Sequence, residues 1–226
     1  MAKPEAMDVG KTLTSLYDAE RTVRELSRKL VRAPHGALTD ALQETIEKAG
    51  QVAEEDERSL QLVCVTRILR SLHGPRAIDL LIDVLGSDSE EARGSAGLVL
   101  EDLACDRFGE LRKGIDRAVK RLPVGHMALC ELPFVILNFS GADTLAMLKP
   151  FMALQDAEAV AAGIEAMVEL ADPSAISLLE PLVNDERAVQ VEDESTGDAE
   201  QLTVGDLAAD AVEALREVEK IMGGED

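Results

Sequence analysis

Two seven-residue segments of this chain are near copies. Residues 75–81 read PRAIDLL and residues 173–179 read PSAISLL, identical at five positions and offset by 98 residues. A weaker copy begins at Ala142 (ADTLAMLKPFM), where Ala142 corresponds to Pro173 and Pro150 to Pro181, both at an offset of 31. Around Phe108 (FGELRKGIDRAVKRLP) a further copy keeps only the helical period. A recurring unit of about 31–35 residues is too short to bury its own apolar face. Stacking several such units into one continuous core solves that problem, and this confines the chain to a repeat architecture.

The unit predicted from the residues is a helix, a tight turn and a second, more buried helix. Apolar residues recur at three- and four-residue spacing almost everywhere. Val9, Leu13, Leu16, Val23 and Leu30 form one stripe over 9–32, with Asp8 as its N-cap. Helices over 38–52 and 55–72 follow, the first with a narrow stripe (Leu38, Leu42, Ile46), the second thickly apolar (Leu60, Val63, Cys64, Ile68, Leu72). Gly74-Pro75 and Asp172-Pro173 read as helix starts, because proline lacks only an N–H that the first turn leaves unpaired. Asp88 and Glu91 suit a reciprocal cap for the next helix, and Pro150, Pro181 and Pro133 should bend theirs. Composition agrees with helices: 46% of the 226 residues are apolar, yet Phe, Tyr and Trp together make up 2%, so Leu, Ala, Val and Ile fill the core. The expected class is all-α.

These residues carry a resemblance. The string Gly74-Pro75-x-Ala77-Ile78-x-x-Leu81, a turn with an Asp, and Arg93 opening an Ala-rich helix resemble HEAT repeats, in particular the HEAT-like subtype associated with phycobilin lyases. The resemblance covers roughly residues 36–220. It implies a right-handed, armadillo-like α-solenoid of about five helical hairpins: 36–72, 74–104, 107–140, 142–171 and 172–220. Residues 1–35 would form an N-terminal capping or docking helix and 221–226 a tail. It also implies that Arg93 pairs with the turn residue Asp88, and that proteins bind across the second helices. There the exposed candidates are Arg67, Arg70, Glu101, Glu131, Asn138, Glu165 and Glu169, joined by Asp206 and Asp210 from the acidic end.

Charge locates the expected partner. The net charge is −21, but residues 1–35 sum to +2, residues 36–153 to −6 and residues 154–226 to −17. A chain this acidic is not expected to bind nucleic acid, and its acidic third should steer a protein with a basic surface. Arg107, Arg112, Lys113, Arg117, Lys120 and Arg121 are expected to form a local positive stripe or a solvated face. Residues 185–202 hold seven acids and one Arg and interrupt the last unit, so they read as a mobile loop. Asp193, Glu194, Asp198 and Glu200 lack the spacing of a calcium loop.

Catalytic signatures are not found. His35, His73 and His126 sit beside glycines, the first two at expected helix ends, and none has a ligand-spaced Cys or His. Cys64, Cys105 and Cys130 read as small buried thiols of a reducing cytoplasm. No stretch approaches the roughly 20 uncharged apolar residues of a membrane span. The expectation is a cytoplasmic, non-catalytic interaction scaffold or adaptor without a cofactor or metal. A HEAT-like lyase or cofactor-attachment factor and a self-assembling module are the alternatives, and the oligomeric state is left open.

Overall fold

The computed structural model describes residues 8–139, 143–192 and 199–223. It is helical apart from one hairpin. The helices are α1 (Val9–Val31), α2 (His35–Ala49), α3 (Glu55–Leu69), α4 (Pro75–Leu85), α5 (Glu90–Arg121), α6 (Ala128–Leu137), α7 (Thr144–Leu148), α8 (Ala157–Leu170), α9 (Ile176–Leu179) and α10 (Val204–Gly223). Strands β1 (Ala188–Glu192) and β2 (Ala199–Thr203) pair antiparallel, with Val189 opposite Leu202. None of these helices is long and apolar enough to cross a membrane.

The core runs through α4, where Ala77, Ile78, Leu81, Ile82 and Val84 are fully buried. Helices α2, α3, α5 and α6 all pack on it. Pro75 opens α4 behind Gly74, whose φ of 98° is cheap only for glycine. The second half of α5 lies closest, because Gly114 brings no side chain to the contact: a Cβ there would stand 2.2 Å from Ile78 Cγ2. Arginines then lock the pair. Arg117 donates to Asp79 at 2.7 Å and to the Pro75 carbonyl at 3.1 Å. Arg121 pairs with Asp83 at 2.7 Å, and burial still lifts the Asp83 carboxyl above its ordinary pKa.

Several expectations need correction. The four arginines of 107–121 are not a free positive stripe: Arg107 donates to the Leu72 carbonyl at 2.7 Å, Arg112 binds Asp143, and Arg117 and Arg121 bind α4, while Lys113 and Lys120 stay exposed. The span α5 is two helical segments, 90–106 and 108–121, separated by a kink where Arg107 leaves helical geometry (φ −138°, ψ 34°). Its cap is Ser89, which accepts from the Ala92 N–H and meets Ser59 Oγ at 2.7 Å, because burial of Ser89 puts its hydroxyl where exposed Asp88 does not reach. Arg93 accordingly binds Glu131 at 3.0 Å rather than Asp88. Cys64 and Cys105 are exposed, since the buried face of α3 is Leu62, Val65, Thr66 and Leu69 and that of α5 is Leu100 and Leu103. His35 starts α2 instead of ending α1. Pro150 and Pro181 sit in 3-10 turns (Lys149–Ala153 and Glu180–Leu182), since proline withholds the N–H an α-turn needs. Pro133 does lie inside α6, as read.

The acidic insert is likewise not one loop. Its arms are the strands β1 and β2, and Arg187 holds their base by donating to the Leu154 carbonyl at 2.7 Å and to Asp185 at 2.9 Å. Asp193, Glu194 and Asp198 lie outside the described residues, as does Ala142, where the weak repeat begins. Asp8 and Asp172 cap their helices as expected, accepting from the N–H groups of Lys11 and Ser174.

Gly114→Ala should cost about 1–3 kcal/mol by overpacking against Ile78. Gly109→Ala, in open space on the same helix, should gain about 0.5–1 kcal/mol from the unfolded chain's lost freedom. Urea denaturation of the two variants reads both signs.

Candidate functional site

Three helices present one face each to a common groove of about 790 Å³. From α8 come Glu158, Ala161, Ala162, Ile164, Glu165 and Val168, and from α10 come Leu207, Asp210, Ala211 and Ala214. These spacings of three and four residues are those of a single helical face. Helix α6 adds Cys130, Glu131 and Phe134, and strand β1 closes one side with Val189 and Gln190. The groove exists because α8 and α10 meet through alanines. A leucine at Ala161, Ala162, Ala211 or Ala214 would fill the space that these methyl groups leave.

Its floor is apolar and buried or half-buried, whereas Glu158, Glu165 and Asp210 on the rim are exposed. Among the described residues no basic side chain lines it. Glu131 is engaged by Arg93, and Glu158 Oε1 accepts from the Gln190 N–H at 3.2 Å. Glu165 and Asp210 have no ion pair or hydrogen bond among the described residues, so their charge faces the groove and water uncompensated. Burial, helped by Asp156, Glu158 and Glu131, pushes the Cys130 thiol up to about 11. A proton therefore stays on sulfur at neutral pH.

The walls are set by Asp156. It is buried at the N-cap of α8, where Oδ1 accepts from the Glu158 N–H at 3.2 Å and Oδ2 from the Gly125 N–H at 2.6 Å. Gly125 has φ 82°, the left-handed turn that leads into α6. One carboxylate thus sets the start of α8 against the approach to α6. At the other wall, Asp206 accepts from the Thr203 N–H at 2.9 Å while Thr203 Oγ1 accepts from the Asp206 N–H at 3.0 Å, a reciprocal cap for α10.

Of the nine residues singled out from sequence, Glu131, Glu165 and Asp210 come together here. Glu101 and Asn138 instead bind each other across α5 and α6 at 2.9 Å. Arg70 binds Asp102 at 2.7 Å, and Asp206 serves as the cap. Glu169 is exposed on α8 outside the groove lining. Arg67 lies at the opposite end, in a cleft with Ser27, Arg28, Val31 and Arg32 between α1 and α3. Sequence reasoning missed Glu158, although it stands seven residues before Glu165 on the same face. It also missed Cys130, Phe134 and Gln190, which only the folded chain brings alongside. Among the described residues no group of three or more His, Cys, Asp or Glu side chains could hold a metal ion. Comparison of the chain with protein-family models, with curated proteins and with solved structures finds no match in any of the three.

Asp156→Ala should cost about 1–3 kcal/mol, from a lost cap and a stranded Gly125 N–H, as measured by urea denaturation. Cys130 should alkylate with iodoacetamide at pH 8 on the order of a hundredfold more slowly than a thiol of pKa about 8.5. Peptide mapping of the labelled protein resolves it from Cys64 and Cys105.

Proposed function

We propose that this protein is a non-catalytic, cytoplasmic interaction module whose groove between α6, α8 and α10 takes a basic amphipathic helix of a protein partner. The carrying observation is the groove's own chemistry: an apolar floor of alanines and larger side chains under a rim of three exposed carboxylates, Glu158, Glu165 and Asp210. An amphipathic helix meets such a surface with an apolar stripe downward and lysines or arginines at the sides. The carboxylates would speed encounter and select for basic partners, while the floor would supply most of the affinity.

The architecture we propose for it is the HEAT-like right-handed α-solenoid of about five hairpins. Supporting this are the repeated PRAIDLL and PSAISLL strings and the order of neighbours, α2 with α3, α4 with α5, α6 with α8 and α8 with α10. The groove then lies on the second helices of the last units, the face such folds use for partners. A lyase or cofactor-attachment role has less support. Among the described residues no histidine lines the groove, and the Cys130 thiol is held protonated.

Fluorescence anisotropy with a labelled amphipathic Leu/Lys helix tests the reading. Saturable binding that weakens with salt is expected, and Glu165→Lys with Asp210→Lys should reduce affinity at least tenfold, about 1.4 kcal/mol. Equal binding by that double variant, or equal binding of a Leu/Glu peptide, would overturn it.

A further inference from the structure

Helix α1 has the features that the groove calls for. None of its 23 residues is buried. Every residue from 8 to 19 is exposed, among them Val9, Leu13, Leu16 and Tyr17 at 58, 43, 60 and 55%. These four stand at i, i+4, i+7 and i+8, one exposed apolar stripe that no described residue covers. Only the C-terminal half is held: Val31 packs on the core, and Ser27 and Arg28 border the cleft beside α3. The helix carries five basic residues against three acidic ones, in contrast to the −17 of residues 154–226. Arg21, Arg24 and Arg28, at i, i+3 and i+7, make a row beside the stripe. Arg21 and Arg24 are held only by pairs within α1, to Asp18 and Glu20, their side chains 73% and 68% exposed. Such pairs are worth a fraction of a kcal/mol and yield readily to a better partner.

The helix does not reach its own groove. Helices α3, α5, α6, α8 and α10 are neighbours in that order. Helix α1 packs on α2 and α3, and even the groove's nearest wall, α6, lies two interhelical steps of about 8–10 Å beyond α3.

We infer that the groove's occupant is α1 of a second copy of this chain, in a head-to-tail contact. This rests on the reading of the groove given above and names its partner. Val9, Leu13, Leu16 and Tyr17 of one copy cover the alanine floor between α8 and α10 of the next. Arg21 and Arg24 meet Glu165 and Asp210, the two rim carboxylates without a partner among the described residues. Donor and acceptor are different surfaces, so the contact is heterologous and each added copy leaves one donor and one acceptor free. It propagates into an open chain unless geometry closes a ring.

Light scattering on the full-length protein, with two variants, tests this. Leu13→Asp with Leu16→Asp removes the donor; Glu165→Lys with Asp210→Lys removes the acceptor. All four positions are exposed, so unchanged circular dichroism is expected. The wild-type protein should exceed the mass of one chain at low salt and shrink toward it near 1 M salt, where screening shortens to about 3 Å. Each variant alone should run as one chain. Mixed together, they should form a dimer and nothing larger, because only one donor and one acceptor survive. A wild-type protein that stays a single chain at every concentration, an acceptor variant that assembles like wild type, or a mixture that does not pair would overturn the inference. The Leu/Lys peptide, titrated into the donor variant, separates the two failures. Binding there with no self-association leaves the groove reading intact and removes only the second copy, whereas no binding removes both.

Discussion

The structure depends on how closely α5 approaches α4. Gly114 lets the two backbones come together over Ile78, and Arg117 then closes on Asp79 and on the carbonyl of Pro75. Helix α4 is in turn the element on which α2, α3 and α6 also pack. A bulky side chain at residue 114 would push α5 outward, and with it α6 and the Glu131 wall of the groove. The arginines matter less for their Coulomb energy, which water screens at these half-exposed positions, than for fixing register. A guanidinium that must reach a carboxylate and a carbonyl at once allows little sliding of one helix along another.

Much of the helical layout was legible in the residues because its signals are local. Asp8, Asp172 and the Gly74-Pro75 step act within one turn of chain, and all three do what their chemistry requires. Other features were not legible because they are settled by a neighbour far along the sequence. Asp88 and Ser89 are both good caps on paper; Ser89 takes the role because Ser59 of α3 waits for its hydroxyl. The arginines of 107–121 look like a basic face until Asp79, Asp83 and Asp143 arrive from other helices. Cys64 and Cys105 sit in apolar stretches, but on the faces that look outward. The strands β1 and β2 hide in a run so acidic that its Ala-Val-Gln-Val pattern is easily passed over.

The groove was only partly legible for the same reason. Glu131, Glu165 and Asp210 follow from helical period plus a guess about which face turns inward, and period alone also admitted Arg70, Glu101 and Asn138. Those three are consumed in contacts between helices, which a linear reading does not separate from contacts offered to a partner. What marks the remaining rim acids as available is a property of the folded molecule: among the described residues Glu165 and Asp210 have no ion pair or hydrogen bond, while most arginines are already committed.

One wall of the groove is not a helix at all. Val189 and Gln190 belong to the hairpin inserted between α9 and α10, anchored at its base by Arg187. The insert contributes to the mouth of the groove without entering the α4–α5 contact that carries the fold. Exposed Gln190 can change and retune what the groove admits, whereas Val189 is buried in the shared core and ties the hairpin to the helical stack. The same short strand therefore carries one residue that answers to the partner and one that answers to the fold.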